Sequence, residues 1–453
     1  MTQTFEITEG GIPEKRMEEF GKAFRSGRGN RVASGAAVNC GLSEAAADPE
    51  RMAQLPYSFS IDLKQGSITN QKSSGRCWLF AALNTFRYET ITKFNLEDFE
   101  LSQNYLFFWD KLEKANYYLE NMMALASEPE DGRLFCFLNA DPLCDGGQWD
   151  MMASLVRKYG VVPKEAYPDG ANSVKSRPMN SALCALLREN AVALRGAVKE
   201  GISTPVLRSM KEEMLSEIYR VLCICLGEPP KTFDFTVRSK DGQVYQEFGI
   251  SGREFYDKYV GLPLDEYVSL INAPTSDKPF GQLYTVKYLG NVAEGSPVRY
   301  LNLPMDKLRD AAIAQLRDGH PVWFGSDCGQ FAVRERALFD RKGAGIEPFL
   351  DIRYSFGKRE RLTYGESAMN HAMVLLGVNM DRSGRSDRWR IENSWGKESG
   401  PNGGYYVASD SWFGEFVYQV AVNRKYLDEE SVKLLDGELH ELEPWDPMGT
   451  LAD

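Results

Sequence analysis

An α+β fold is predicted for this chain, because helical and strand signals occupy different stretches instead of alternating. Helical periodicity dominates the first half, above all residues 77–127 and 180–226. Strand patterns dominate residues 371–425. The length, 453 residues, leaves room for about two or three domains of ~150 residues each.

Residues 13–56 hold helical stretches with Gly and Ala breaks and read as an N-terminal arm. Residues 77–95 predict a helix, with Leu79, Phe80, Leu83 and Phe86 at 3.6-residue spacing. Leu101-Ser102-Gln103 is a cap-and-turn entry to a second helix over 101–127. Gly146-Gly147 opens another, Trp149 to Tyr159, which Gly160 ends. Within 180–226 the apolar set is Leu183, Leu186 and Leu187, then Met210, Met214, Ile218 and Leu222. Thr232–Val237 and Val244–Phe248 alternate around Asp241-Gly242, a hairpin signal. A helix over 306–318 precedes Pro321-Val322-Trp323-Phe324, a buried-strand pattern. Strands are expected at Ala372–Val378, Arg388–Asn393 and Tyr405–Val407. The tail from Asp428 to Asp453 is acidic, yet Trp445 and Met448 give it something to bury.

Composition narrows the function classes. Hydrophobic content of 43% and charged content of 26% are those of a soluble globular protein. No run of ~18 apolar residues predicts a membrane span, and the N-terminus lacks the pattern of a secretory signal. Eight cysteines are too sparse for a disulfide scaffold, so a cytoplasmic chain with reduced thiols is expected. The net charge of −11 argues against nucleic acid or an anionic membrane as partner. Cys223-x-Cys225 has no third ligand nearby and reads as a buried apolar pair, so no metal and no cofactor are expected.

The chemistry centres on Asn70-Gln71-Lys72-Ser73-Ser74-Gly75-Arg76-Cys77-Trp78. A thiol stands where a polar loop meets a helix start, a position whose macrodipole is expected to favour the thiolate. A thiol nucleophile needs a base, and the chain has only three histidines, 320, 371 and 440. His320 lies in a turn and His440 in the acidic tail. His371 heads an apolar strand, which would hold its ring rigidly at a cleft, so it is the preferred base. Asn393, 22 residues on in Glu392-Asn393-Ser394-Trp395-Gly396, can orient the imidazole, with Trp395 as its shield. The Gln71 side-chain amide and the Cys77 backbone N–H can form an oxyanion hole.

These residues resemble the papain-like cysteine peptidases, whose Cys/His/Asn arrangement is general knowledge of that group. Two departures specify the branch. The usual Cys-Gly-Ser-Cys-Trp is here Ser74-Gly75-Arg76-Cys77-Trp78, so the cysteine of Cys144-Asp145-Gly146-Gly147 loses its usual partner and should be a free thiol. The Cys77 to His371 interval is 294 residues, against ~130–150 in secreted members, so roughly 150 residues are inserted. With the ending Pro444-Trp445-Asp446-Pro447-Met448-Gly449, the chain resembles the bleomycin hydrolase and aminopeptidase C branch.

That resemblance implies a two-lobed fold: an arm (1–60), a helical lobe with the nucleophile (61–175), a helix-rich and hairpin insertion (176–290), a β-rich, barrel-like lobe with His371 and Asn393 (291–430), and a C-terminal arm reaching the active site (431–453). It implies a cytoplasmic homohexamer that removes N-terminal residues from peptides. Gly146, Gly147, Ala452 and Asp453 would contact substrate. A Cys-dependent acyltransferase of transglutaminase type and a non-catalytic scaffold are the alternatives.

Overall fold

The computed structural model describes residues 7–452. Asp453 lies outside them. Helices Glu14–Ser26 and Arg28–Cys40 bury none of their residues. The helical half then builds on Cys77–Lys93, Gln103–Ala124 and Trp149–Tyr159. Ser102 caps the second of these through the Tyr105 N–H, and Gly160 ends the third at φ +72°. The Cys77–Lys93 helix is apolar nearly all round, with fourteen of its residues buried, as befits an element with neighbours on every face.

Twelve of the strands join in one mixed sheet, and the hairpin of the insertion forms a separate two-stranded one. Its centre is Val417–Asn423, Val322–Ser326, His371–Met380 and Ser386–Glu392 in that spatial order. These central strands are almost wholly buried, which explains their continuous apolar runs in place of alternation. The Cys77–Lys93 helix packs directly on the His371–Met380 strand. The Trp323 indole N–H donates to the Trp78 carbonyl at 3.2 Å, tying the helix start to the sheet.

Two features differ from the sequence reading, and a third extends it. Tyr267–Ile271 and Gln282–Val286 belong to the main sheet, so the insertion ends before Tyr267, not at 290; both strands are short and end in ordinary loops, which masked their pairing. Within 371–425 a helix, Asp410–Phe416, interrupts the strands because Ser409 caps it. The acidic tail is ordered: Leu439–Leu442 pairs in parallel with Gln282–Val286, and His440 sits on that edge strand. The inserted helices Arg177–Lys199 and Thr204–Leu226 pack on Gln103–Ala124, and the hairpin Phe233–Arg238 with Val244–Ile250 sets Phe235 edge-to-face against Phe255 and Phe99.

Candidate active site

The junction of helix and sheet assembles the thiol, imidazole and amide. Cys77 is the first residue of its helix and is buried. His371 is the first residue of its strand, and Asn393 directly follows Ser386–Glu392. The His371 Nε2–H donates to Asn393 Oδ1 at 2.9 Å. The same oxygen accepts from the Ser394 backbone N–H at 2.8 Å, which identifies it as the carbonyl oxygen of the amide. Nε2 therefore carries the proton, and Nδ1 is left as the acceptor. Trp395 covers the ring, its centroid 5.0 Å away and tilted by 27°.

Cys77 faces this imidazole's own backbone, since the Ala372 N–H supports the sulfur as an anion. Burial nevertheless pushes the thiol up to about 11, against the backbone donors of Ala372, Trp78 and Cys77. Burial likewise holds His371 down to about 4; the Asn393 bond opposes this and the Arg334 charge adds to it. The expected lowering of the thiol by the helix dipole is thus overridden by desolvation. Both shifts have one cause, since burial disfavours the charged form of either group.

Gln71 is tied to the orienting amide by chain neighbours. Its backbone N–H donates to the Ser394 carbonyl at 2.8 Å, and its Oε1 accepts from Ser394 Oγ at 2.6 Å. One proton of Nε2 goes to the Ser74 carbonyl at 2.7 Å, which leaves the second for an oxyanion. Gln71→Ala is expected to lower kcat by about 10²-fold with KM little changed; steady-state rates on one amide substrate check this.

Ser74, the residue in place of the family's cysteine, donates to the Gln71 carbonyl at 2.7 Å and accepts from Arg76 Nε at 2.9 Å. Arg76, fully buried, pairs with Asp169 at 2.7 Å. Across the gap, Asp145 accepts from the Gly75 N–H at 3.0 Å, from Ser176, from Asn180 at 2.6 Å and from Lys111 at 2.7 Å. Burial would raise this carboxyl; Lys111 and the hydroxyl and amide donors outweigh it and hold it well below the usual range. Hydrogen bonds from the Gly75 N–H to the Asp145 carboxylate and from the Trp78 indole to the Asp145 carbonyl therefore join the two segments where a disulfide would, each side backed by its own ion pair, and Cys144 is a free thiol. The sequence reading missed Asp145, Lys111 and Lys114. Both lysines are buried and donate to the Cys144 carbonyl at 2.8 and 3.0 Å.

Gly146 and Gly147 do permit a close backbone approach, and the chain itself makes it. The Gly147 N–H donates to the Leu451 carbonyl at 3.1 Å. A Cβ on Gly146 would strike that carbonyl, and one on Gly147 would lie 2.6 Å from the Trp78 ring. The Cys144 thiol donates to the Ala452 carbonyl, and Leu451 and Ala452 are buried. Upstream, Lys278 holds Asp446 at 2.6 Å and Tyr300 OH donates to the Met448 carbonyl at 3.1 Å. Asp453, the remaining residue expected at the substrate site, is outside the described residues. His320 lies apart, paired with Glu89 at 2.7 Å.

Comparison with known proteins settles the family. The Peptidase C1-like family model matches residues 11–449. The chain belongs to the Peptidase C1-like family. It is a cysteine peptidase of papain-like type. Aminopeptidase C of Listeria monocytogenes is 47% identical over 438 residues, 97% of this chain and 98% of the relative. Human bleomycin hydrolase is 41% identical over 409 residues, 88% of this chain and 90% of the relative. The crystal structure of PepW from Lactobacillus rhamnosis HN001 matches with a TM-score of 0.94 at 43% identity, covering 97% of this chain and 99% of that one.

Proposed function

We propose that this cysteine aminopeptidase removes single residues from peptide N-termini through a Cys77 thioester, with its own C-terminal arm closing the cleft. One observation carries the reading: the arm's Leu451 carbonyl occupies the Gly147 N–H, a main-chain donor that an extended substrate would otherwise use. The arm then denies that donor to a substrate chain running past it. Asp453, which follows Ala452, would receive the substrate's α-ammonium on its side-chain carboxylate as a charge-assisted contact.

Chemistry follows from the residues. The Cys77 proton passes to His371 Nδ1 while sulfur attacks the first peptide carbonyl. The oxyanion takes hydrogen bonds from Gln71 Nε2 and the Cys77 N–H. The imidazolium, oriented by Asn393, gives its proton to the leaving amine, and a thioester remains. Neutral His371 then takes a proton from water as hydroxide adds to the thioester, and collapse frees the amino acid and restores the thiol. Hydrolysis of bleomycin, the substrate named for the human relative, falls within the same amide chemistry.

A cytoplasmic homohexamer is part of this proposal. Unpaired thiols at all eight cysteines suit a reducing compartment. Met17, Phe20 and Phe24 form an exposed apolar edge on Glu14–Ser26, which a second copy would cover.

Digestion of one peptide with a free and with an acetylated N-terminus tests the activity. Stepwise loss of N-terminal residues is expected from the free form, and cleavage at least about 10²-fold slower from the blocked form, since an ionic contact of 2–3 kcal/mol is lost. Equal rates, or transfer to an added amine exceeding hydrolysis, would overturn the reading.

A further inference from the structure

Arg76 stands directly before the nucleophile and is fully buried. Its main-chain carbonyl accepts from the Phe80 N–H at 3.0 Å, the first bond of the Cys77–Lys93 helix. Its guanidinium carbon lies among aromatic rings, 5.1 Å from the Phe80 centroid and 5.4 Å from the Phe107 centroid. Nη1 pairs with Asp169 at 2.7 Å, and Lys164 holds the other oxygen of that carboxylate at 2.6 Å. Nε donates to Ser74 Oγ at 2.9 Å.

We propose that Arg76 is a positioning residue of the oxyanion hole: by fixing the Ser74 hydroxyl, its guanidinium sets the turn that aims the Gln71 amide at the substrate carbonyl. The direction of each hydrogen bond carries the argument. An arginine N–H can only donate, so Ser74 Oγ is the acceptor there and keeps its one proton for another partner. That proton goes to the Gln71 carbonyl at 2.7 Å. The Ser74 carbonyl in turn accepts from Gln71 Nε2 at 2.7 Å. Residues 71 and 74 are thus joined twice, and both bonds depend on where Ser74 sits.

The turn between them does not hold itself. It passes through Lys72 at φ +55°, a left-handed conformation that a residue with a side chain keeps only where its surroundings impose it. At the other end of the amide, Ser394 Oγ donates to Gln71 Oε1 at 2.6 Å. With its oxygen and one N–H engaged, the amide has a single N–H left, and the aim of that N–H follows from the two anchors. Ser394 governs one of them and Arg76, through Ser74, the other. The inference rests on the oxyanion role proposed above for Gln71.

The test is a cycle of variants in the full chain. Ser74→Ala keeps the Arg76–Asp169 pair and removes only the relay, so the fold should survive. Its kcat on alanyl-aminomethylcoumarin is expected to fall about tenfold with KM within about twofold, part of the loss seen when an oxyanion donor is itself removed. Arg76→Lys should behave alike, because an ammonium lacks the fork that serves Asp169 and Ser74 together. Ser74→Thr, which keeps the hydroxyl, should recover most of the rate. In a Gln71→Ala background, Ser74→Ala should cost less than about twofold more, since the group it positions is already gone. Alkylation of Cys77 by chloroacetamide builds no oxyanion and should keep the wild-type rate in every variant. Release of p-nitrophenol from p-nitrophenyl acetate repeats the comparison with no N-terminal residue to remove. A wild-type protein that turns over the ester with the Ser74–Gln71 coupling intact, yet leaves peptides uncut, sinks the aminopeptidase reading alone. An unchanged kcat in Ser74→Ala, a full loss that persists in the Gln71→Ala background, or a matching loss of alkylation would overturn the inference. So would alkylation of Cys77 in a wild-type protein that turns over neither substrate.

Discussion

Cys77→Ala is expected to abolish peptide hydrolysis, with a loss on the order of 10⁴-fold or more, because removing a covalent nucleophile removes the pathway and not merely a contact. One feature of the site makes the loss near-complete. The other cysteines near the site, Cys328 and Cys144, are both raised by burial, so neither thiol is a good substitute. Folding should survive the change, since Cys77 gives only its sulfur to a cluster anchored by Trp78, Leu79 and Phe107. Assays of the variant beside thermal unfolding and particle mass separate loss of chemistry from loss of structure. Full activity in a correctly folded variant would remove the thioester mechanism.

The sequence carried much of the fold, and the placement of Cys77, His371 and Asn393 within it, for a physical reason. Thiol, imidazole and amide are rare types at element ends, and element ends are where turn and cap signals are strongest. Cys77 at a helix start and His371 at a strand start are both readable from one flanking loop and one apolar run. The supports of the site are not readable that way. Lys111 and Lys114 lie on one face of a helix and appear to a periodicity argument as ordinary charged positions. Their partners are backbone carbonyls about thirty residues away, and carbonyls leave no mark in a sequence. Asp145 was quoted only as part of a glycine motif, and its four donors come from three separate segments. Ser74 is legible as a missing cysteine, yet nothing local says that hydrogen bonds to Asp145 take the disulfide's place. The thiol's proton affinity was misjudged for the same reason: the helix dipole is local and visible, whereas burial depends on the opposing sheet. The Arg334 guanidinium lies 4.9 Å from the ring of Trp395, far along the chain from it, and no local pattern announces that contact.

Deleting residues 450–453 is expected to turn the enzyme from an exopeptidase into one that cleaves internal bonds. The deletion frees a defined set of groups. The Gly147 N–H loses the Leu451 carbonyl, the Cys144 thiol loses the Ala452 carbonyl, and the Met369 carbonyl loses Thr450 Oγ1, bound at 2.8 Å. An extended peptide has the same donors and acceptors along its backbone and can replace all three. The rest of the arm stays anchored, because Asp446 keeps Lys278 and Met448 keeps Tyr300. The truncation therefore opens the cleft without unfolding its wall. The Asp453 carboxylate that would receive the α-ammonium leaves with the deletion, and an uncompensated ammonium in a buried site costs about 3–5 kcal/mol. Discrimination between free and acetylated N-termini should accordingly fall by on the order of 10²–10³-fold. Mass spectrometry of products from a blocked peptide reads the change directly: internal fragments are expected from the truncated enzyme and almost none from the full chain. Unchanged stepwise removal of N-terminal residues by the truncated enzyme would mean that the arm does not set the length of the cleft, and that the Leu451–Gly147 contact is structural only.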